Sequence, residues 1–244
     1  MKSLGLIGFG QFGQLAASVL KGHFDVVVTD AAAEAEPAAR AAGVAFGTLE
    51  QAAAREVVVV AVPVAAMREV FAAIAPHLRP GALVVDVGSV KMLPSQWMVE
   101  LLPAHVDLVA THPLFGPQSA KTGLDGLRFV VCPIRGDRHE RVAAFGRTLG
   151  LTVTVTSAEE HDREMAYVQA LTHLIGRSLV NLEIPDEQLK TVSYQHLLEL
   201  CSLIGADTFE LFTAIQTQNP YAAEVAEAFV NQARSLLDQV ASRA

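Results

Sequence analysis

The sequence predicts an α/β fold: a mainly parallel sheet layered with helices, followed by a smaller all-α domain. From the start to about residue 155, short β-branched runs alternate with amphipathic stretches, the pattern of successive βαβ units. A Gly-x-Gly-x-x-Gly run lies where the first strand meets the first helix. After Ser157 the strand signals stop and only helix-period sequence remains.

Each element follows from its own stretch. The runs LGLIG, DVVVT, VVVVAVP and ALVVDV predict the first strands, with helices over 11–21, 33–42 and 65–74 between them. DLVAT (107–111), RFVVC (128–132) and LTVTVT (151–156) predict further strands, with a helix over 137–149 before the last. Ser157 and Glu160 have the spacing of a capping box, in which each side chain satisfies a free amide of the helix start. The domains are therefore expected at 1–156 and 157–244. In the second, helices are expected over 158–182, 192–203, 206–217 and from 220 to about 242. A break falls at 184–186, and Asn219-Pro220 reads as an N-cap with proline at N1.

Composition narrows the function. A chain of 244 residues can bury one sizeable core and a second, smaller layer. It is 51% hydrophobic, yet its longest apolar run, 57–67, contains Pro63 and falls short of the roughly 20 residues that span a bilayer. Neither a membrane partner nor a cleaved leader is expected, because the first glycines belong to a ligand motif. Cys132 and Cys201 are far apart and lack metal-ligand spacing, so no metal site is expected and a reducing, cytoplasmic setting fits. A net charge of -8 argues against a nucleic-acid partner.

Gly8-Phe9-Gly10-Gln11-Phe12-Gly13 closes an apolar strand and opens a helix, and the next strand ends at Asp30, 17 positions beyond Gly13. Glycines there let the backbone approach a pyrophosphate at a helix N-terminus, while the carboxylate takes ribose hydroxyls. That arrangement predicts a Rossmann-type dinucleotide site built from Gly8, Gly10, Gln11, Phe12, Gly13 and Asp30, with Val62 and Pro63 at the end of a later strand. Asp30 would repel a 2′-phosphate and no arginine immediately follows it, which favours NAD over NADP. The bland alternative is a tight turn without a ligand.

Asp86-Val87-Gly88-Ser89-Val90-Lys91 follows a buried strand, so Ser89 and Lys91 stand at a carboxyl end, where open α/β sheets bind ligands. One strand later comes Thr111-His112-Pro113-Leu114-Phe115-Gly116-Pro117. A strand-end histidine beside a nicotinamide can serve as general base, its unperturbed pKa of about 6.5 being close to neutrality. Asp162, Gln169, His173 and Arg177 follow at spacings of seven, four and four, and so share one face of the next helix. Buried polar groups need partners. Either these satisfy one another and the sheet domain, or they line a cleft between the domains.

These motifs together resemble the prephenate/arogenate dehydrogenase family. The resemblance rests on GFGQFG with Asp30, DVGSVK, THPLFGPQSAKTG and AEEHDREMAYVQALTHLIGR, and continues more weakly through TVSYQHLLEL and FELFTAIQTQNPYA. It implies NAD-dependent oxidative decarboxylation of a small, anionic cyclohexadienyl substrate. His112 would accept the hydroxyl proton, and Ser89 would hydrogen-bond that hydroxyl or His112. His173, Arg177 and Gln169 would face the substrate, Arg177 as a bidentate carboxylate ligand. Lys91 would add positive charge or form a salt bridge within the sheet domain. Gln118 stands where related loops often carry Glu, leaving the side-chain end of the substrate open. The resemblance also implies a homodimer through the helical domain. The chain ends soon after its last helix, so tyrosine feedback is expected at the active site if it occurs.

Two rival readings share this architecture. A β-hydroxyacid or imine reductase would use a lysine of the helical domain, where Lys190 is the only one. A non-catalytic NAD sensor would bind the cofactor without turnover.

Overall fold

The computed structural model describes residues 2–243. It divides into two units, one ending at His161 and the other starting at Asp162.

The first unit is built on strands β1 (Ser3–Ile7), β2 (Asp25–Thr29), β3 (Ala45–Phe46), β4 (Val57–Val60), β5 (Leu83–Asp86), β6 (Asp107–Pro113), β7 (Arg128–Arg135) and β8 (Thr152–Val155). Their spatial order is β3-β2-β1-β4-β5-β6-β7-β8, parallel throughout except where β7 runs against β6. Order therefore reverses between β1 and β4, and the carboxyl ends of those two strands flank the switch point where such sheets bind ligands. The β-branched runs are central strands buried on both faces, with Val58, Val60 and Val84 fully inaccessible.

Helices α1 (Gln11–Leu20), α2 (Ala35–Ala41), α3 (Leu49–Ala53), α4 (Val64–Ile74), α5 (Met92–Leu101) and α6 (His139–Thr148) complete this unit. One core gathers Ile7, Val60 and Leu108 with Met67 and Phe71 of α4 and Met98 of α5. A second gathers Leu6, Val28 and Val85 with Ala17 of α1, Ala39 of α2 and Ala143 of α6. Burying each large apolar side chain contributes about 1.5–3 kcal/mol.

The helical run expected over 158–182 is not one regular helix. It comprises α7 (Ala158–Met165), a π-helical segment Ala166–Leu171 and α8 (Thr172–Asn181). The expected capping box is half formed. Ser157 Oγ accepts the Glu160 amide at 3.1 Å, but the Glu160 carboxylate takes the Thr156 hydroxyl at 2.8 Å instead of returning to Ser157.

The second unit continues through α9 (Val192–Gly205), α10 (Phe209–Gln218) and α11 (Ala222–Ala241). A Cβ on Gly176 would lie 2.7 Å from Ile204 Cγ1, so this glycine lets α8 and α9 approach closely. Helix α11 starts later than Asn219-Pro220 suggested: its N-cap is Tyr221, and Pro220 lies in the turn before the helix instead of at N1. Asn219 holds that turn, its Oδ1 accepting the Tyr221 amide at 2.9 Å and its Nδ2 donating to the Asp162 carbonyl at 2.7 Å. Among the described residues, no helix is long and apolar enough to cross a membrane, and no cluster of three His, Cys, Asp or Glu could hold a metal.

Candidate active site

The glycine run joins β1 to α1 at the switch point. Gly8 has φ of 101°, and a Cβ there would lie 2.5 Å from the Ala61 carbonyl oxygen. A Cβ on Gly13 would collide with the Gly8 carbonyl, so the third glycine lets the helix start pack against the turn. Beside Gly10, by contrast, nothing lies within 4 Å of where a Cβ would stand. No side chain caps α1, and its first turn contains no acidic residue. The amides of Gln11, Phe12 and Gly13 thus head an uncapped helix with open space at Gly10, a cradle that fits a pyrophosphate.

Asp30, at the end of the neighbouring strand, accepts the Phe9 amide at 2.5 Å and the Ala32 amide at 2.8 Å. Those bonds fix the carboxylate at the mouth of the loop and leave it lone pairs for ribose hydroxyls. Val62 and Pro63 follow β4, and Val62 Cγ1 lies 3.0 Å from a Cβ built on Gly8. Gly13→Val should therefore raise the Kd for NAD by at least about tenfold by forcing the turn open. Fluorescence titration checks this, and unaltered affinity would remove the glycine loop from the binding site.

Ser89, Lys91 and His112 gather at the carboxyl ends of β5 and β6. Asp86 is opposite Ala110 in the ladder, which brings the loop after β5 beside the residues that end β6. The Thr111 hydroxyl donates to the Asp86 carbonyl at 2.6 Å, and the Gly88 amide donates to Asp86 Oδ2 at 2.9 Å. Lys91 is wholly buried, and its ammonium binds Asp86 Oδ2 and, at 2.6 Å, the Thr111 carbonyl. Of the two roles expected for Lys91, the structure shows the salt bridge within the sheet domain. It braces the loop to the residue preceding His112.

His112 is buried at the strand end. Its Nδ1 lies 2.9 Å from Nε2 of His161, in α7. Burial pushes the His112 pKa well below its ordinary 6.5, and the neighbouring His161 and Lys91 push in the same direction. A neutral imidazole at neutral pH results, the form a general base requires. Ser89 Oγ is buried without a hydrogen-bond partner, so the alternative in which it orients His112 is not formed. Phe115, three residues past His112, packs on Phe12 of α1 with ring centroids 6.4 Å apart, tying the histidine loop to the glycine loop. Gln118 is exposed farther along that loop.

In the helical unit, the π segment shifts the register on which the shared face was expected. Asp162 is fully buried and Gln169 only half so. An i to i+5 turn inserts a residue, so seven positions no longer bring two side chains into line. His173 and Arg177, both in α8, do come together, with Asp207 between α9 and α10. Arg177 Nη2 donates to the Asp207 carbonyl at 2.7 Å, and His173 Nδ1 lies 3.8 Å from Asp207 Oδ2. His173 Nδ1 and Arg177 Nε are buried without hydrogen-bond partners. Desolvation lowers the His173 pKa, opposed by the Asp207 carboxylate and reinforced by Arg177.

His161 and Asp207 are the two polar residues that sequence reasoning missed. Both sit in stretches that read as ordinary helix ends. Lys190, which the reductase reading requires, is paired with Asp186 one turn away. The apolar groove of about 330 Å³ on the sheet face between α1 and α6 includes none of the candidate polar residues.

The fold and the glycine cradle define a dinucleotide-binding α/β unit followed by a helical one. Residues 15–155 match the description "prephenate dehydrogenase, nucleotide-binding domain", and residues 157–244 match "prephenate dehydrogenase, dimerization domain". The chain belongs to the prephenate dehydrogenase family. It is 33% identical over 237 residues to arogenate dehydrogenase 2, chloroplastic, of Arabidopsis thaliana, covering 92% of this chain and 66% of the relative. It is 30% identical over 253 residues to a probable arogenate/prephenate dehydrogenase of Methanocaldococcus jannaschii, covering 97% and 56%. The chain thus spans between about half and two thirds of the length of these relatives. Its fold is similar to the crystal structure of Aquifex aeolicus prephenate dehydrogenase in complex with hydroxyphenyl propionate and NAD+. The TM-score is 0.80 at 19% identity, over 100% of this chain and 92% of that one.

Proposed function

We propose that the chain catalyses the oxidative decarboxylation of prephenate, arogenate or both, with NAD as hydride acceptor from the hydroxyl-bearing ring carbon and the ring carboxylate leaving as carbon dioxide. The observation that carries this reading is a buried, neutral His112 whose loop packs on the first turn of a dinucleotide cradle, in a chain of this family. His112 accepts the hydroxyl proton through the ring nitrogen that does not face His161. The partnerless Ser89 hydroxyl hydrogen-bonds the same substrate oxygen. His173 and Arg177 of the helical unit bind a substrate carboxylate, a role supported by their unsatisfied nitrogens and by the two-pronged geometry of guanidinium. Gln169 and Gln118 contribute substrate contacts, and Lys91 acts indirectly, by bracing the loop that holds Ser89. Asp30 favours NAD over NADP.

The proposal includes a homodimer through the helical unit. The matched family description and the exposed apolar residues of α11, among them Leu236, Leu237 and Val240, support it. A cytoplasmic setting is part of the same reading, supported by two cysteines too far apart in sequence to suggest a disulfide framework.

NADH formation by the purified chain with prephenate, arogenate or simple hydroxyacids tests the reading. Turnover confined to the cyclohexadienyl substrates is expected, and turnover of simple hydroxyacids alone would give the site to a reductase. Arg177→Ala should raise the substrate KM about tenfold or more with kcat less affected. An unaltered KM would take Arg177 out of the binding site.

A further inference from the structure

We propose that His161 is a positioning residue that fixes the tautomer of His112. The inference rests on the catalytic reading above and adds a residue to it. A 2.9 Å contact between His112 Nδ1 and His161 Nε2 holds one proton, since two would collide and none would leave two lone pairs opposed. If the proton belongs to His161, His112 must carry its own on Nε2 and cannot accept another there. If it belongs to His112, Nε2 keeps its lone pair and is a competent base. His112 Nδ1 is committed to His161, so Nε2 is the nitrogen left for the substrate.

His161 therefore serves as acceptor. It is 2% exposed, and its backbone amide donates to the Ser157 carbonyl at 3.0 Å, so the ring is carried on the hydrogen-bonded first turn of α7. When His112 Nε2 takes the substrate hydroxyl proton, the imidazolium keeps its Nδ1–H on the His161 lone pair. A second imidazole thus does what a carboxylate does in a hydrolase triad, without adding a buried negative charge. Ser89, the other orienting candidate, makes no such bond.

The test combines spectroscopy with kinetics on the full chain. Nitrogen-15 NMR of the imidazoles, with His112 assigned from its loss in His112→Asn, should show the Nδ1–H tautomer in the resting protein. His161→Leu should lower kcat about 10- to 100-fold with the KM for NAD unchanged. His161→Gln places an amide oxygen where Nε2 stood, and should restore kcat to within a few-fold of the parent and keep Nδ1 protonated. An Nε2–H tautomer in the parent protein would overturn the proposal. So would an unchanged kcat in a folded His161→Leu, or a His161→Gln as slow as His161→Leu. Should the parent turn over neither cyclohexadienyl substrate, the catalytic reading fails, while the NMR result still decides the tautomer.

Discussion

His112→Asn is expected to lower kcat about 100- to 10,000-fold, the usual contribution of a positioned general base, while leaving NAD affinity within a few-fold of the parent. Asparagine keeps a polar group near the Nδ1 position but has no nitrogen that can accept the proton. The glycine cradle and Asp30 are separate from this side chain, so cofactor titration should hardly change. The pH dependence follows with a definite sign. The His112 pKa lies well below 6.5 because the ring is desolvated and feels His161 and the buried Lys91, itself paired with Asp86. The base is then neutral at pH 7, and the acidic limb of kcat/KM falls below 6.5, with activity lost as pH drops through the lowered pKa. Stability moves the same way: it is fully present above the unfolded value and lost as pH falls towards the folded one, because the unfolded chain binds a proton that the buried ring refuses. An acidic limb at or above 6.5 in kcat/KM would contradict both the burial and the assignment.

Lys91→Met should destabilise the protein by about 3–5 kcal/mol, since it leaves Asp86 as a buried charge without its cation. Both side chains are fully inaccessible, so solvent cannot compensate. Urea unfolding measures the loss. Pairing Lys91→Met with Asp86→Leu should recover most of it, because no lone charge then remains inside. The single variant should also turn over slowly, as the ammonium links the Ser89 loop to the Thr111 carbonyl beside His112. A loss below about 1 kcal/mol, the range of exposed pairs, would mean that the ion pair is not what holds this loop.

Most of the sheet was legible because its strands carry unbroken β-branched runs, and buried parallel strands need little else. The elements that escaped were those without periodicity. β3 is only two residues long, and α3 is a single alanine-rich turn whose signal was its cap. That cap, a reciprocal box between Thr48 and Gln51, is fully formed in the structure. Helix α5 carries Pro94 in its first turn, where proline is tolerated but reads as a breaker.

The gathering of the candidate residues was legible where they sit at strand ends, since topology brings those ends to one edge. Gly8, Asp30, Ser89 and His112 all belong to that class. His161 was not, because a histidine among acidic residues at a helix start reads as a solvated turn, and only the fold brings it to His112. The alignment of Asp162 with Gln169 was lost for a different reason. Spacing arguments assume 3.6 residues per turn, and the π segment at Ala166–Leu171 breaks that assumption without any proline or glycine to announce it.

The most direct test of the account is to measure NADH and carbon dioxide together as the purified chain acts on prephenate or arogenate. Equal amounts of both, rising in step, are the predicted result. NADH without carbon dioxide, or tight NAD binding with neither product, would contradict it.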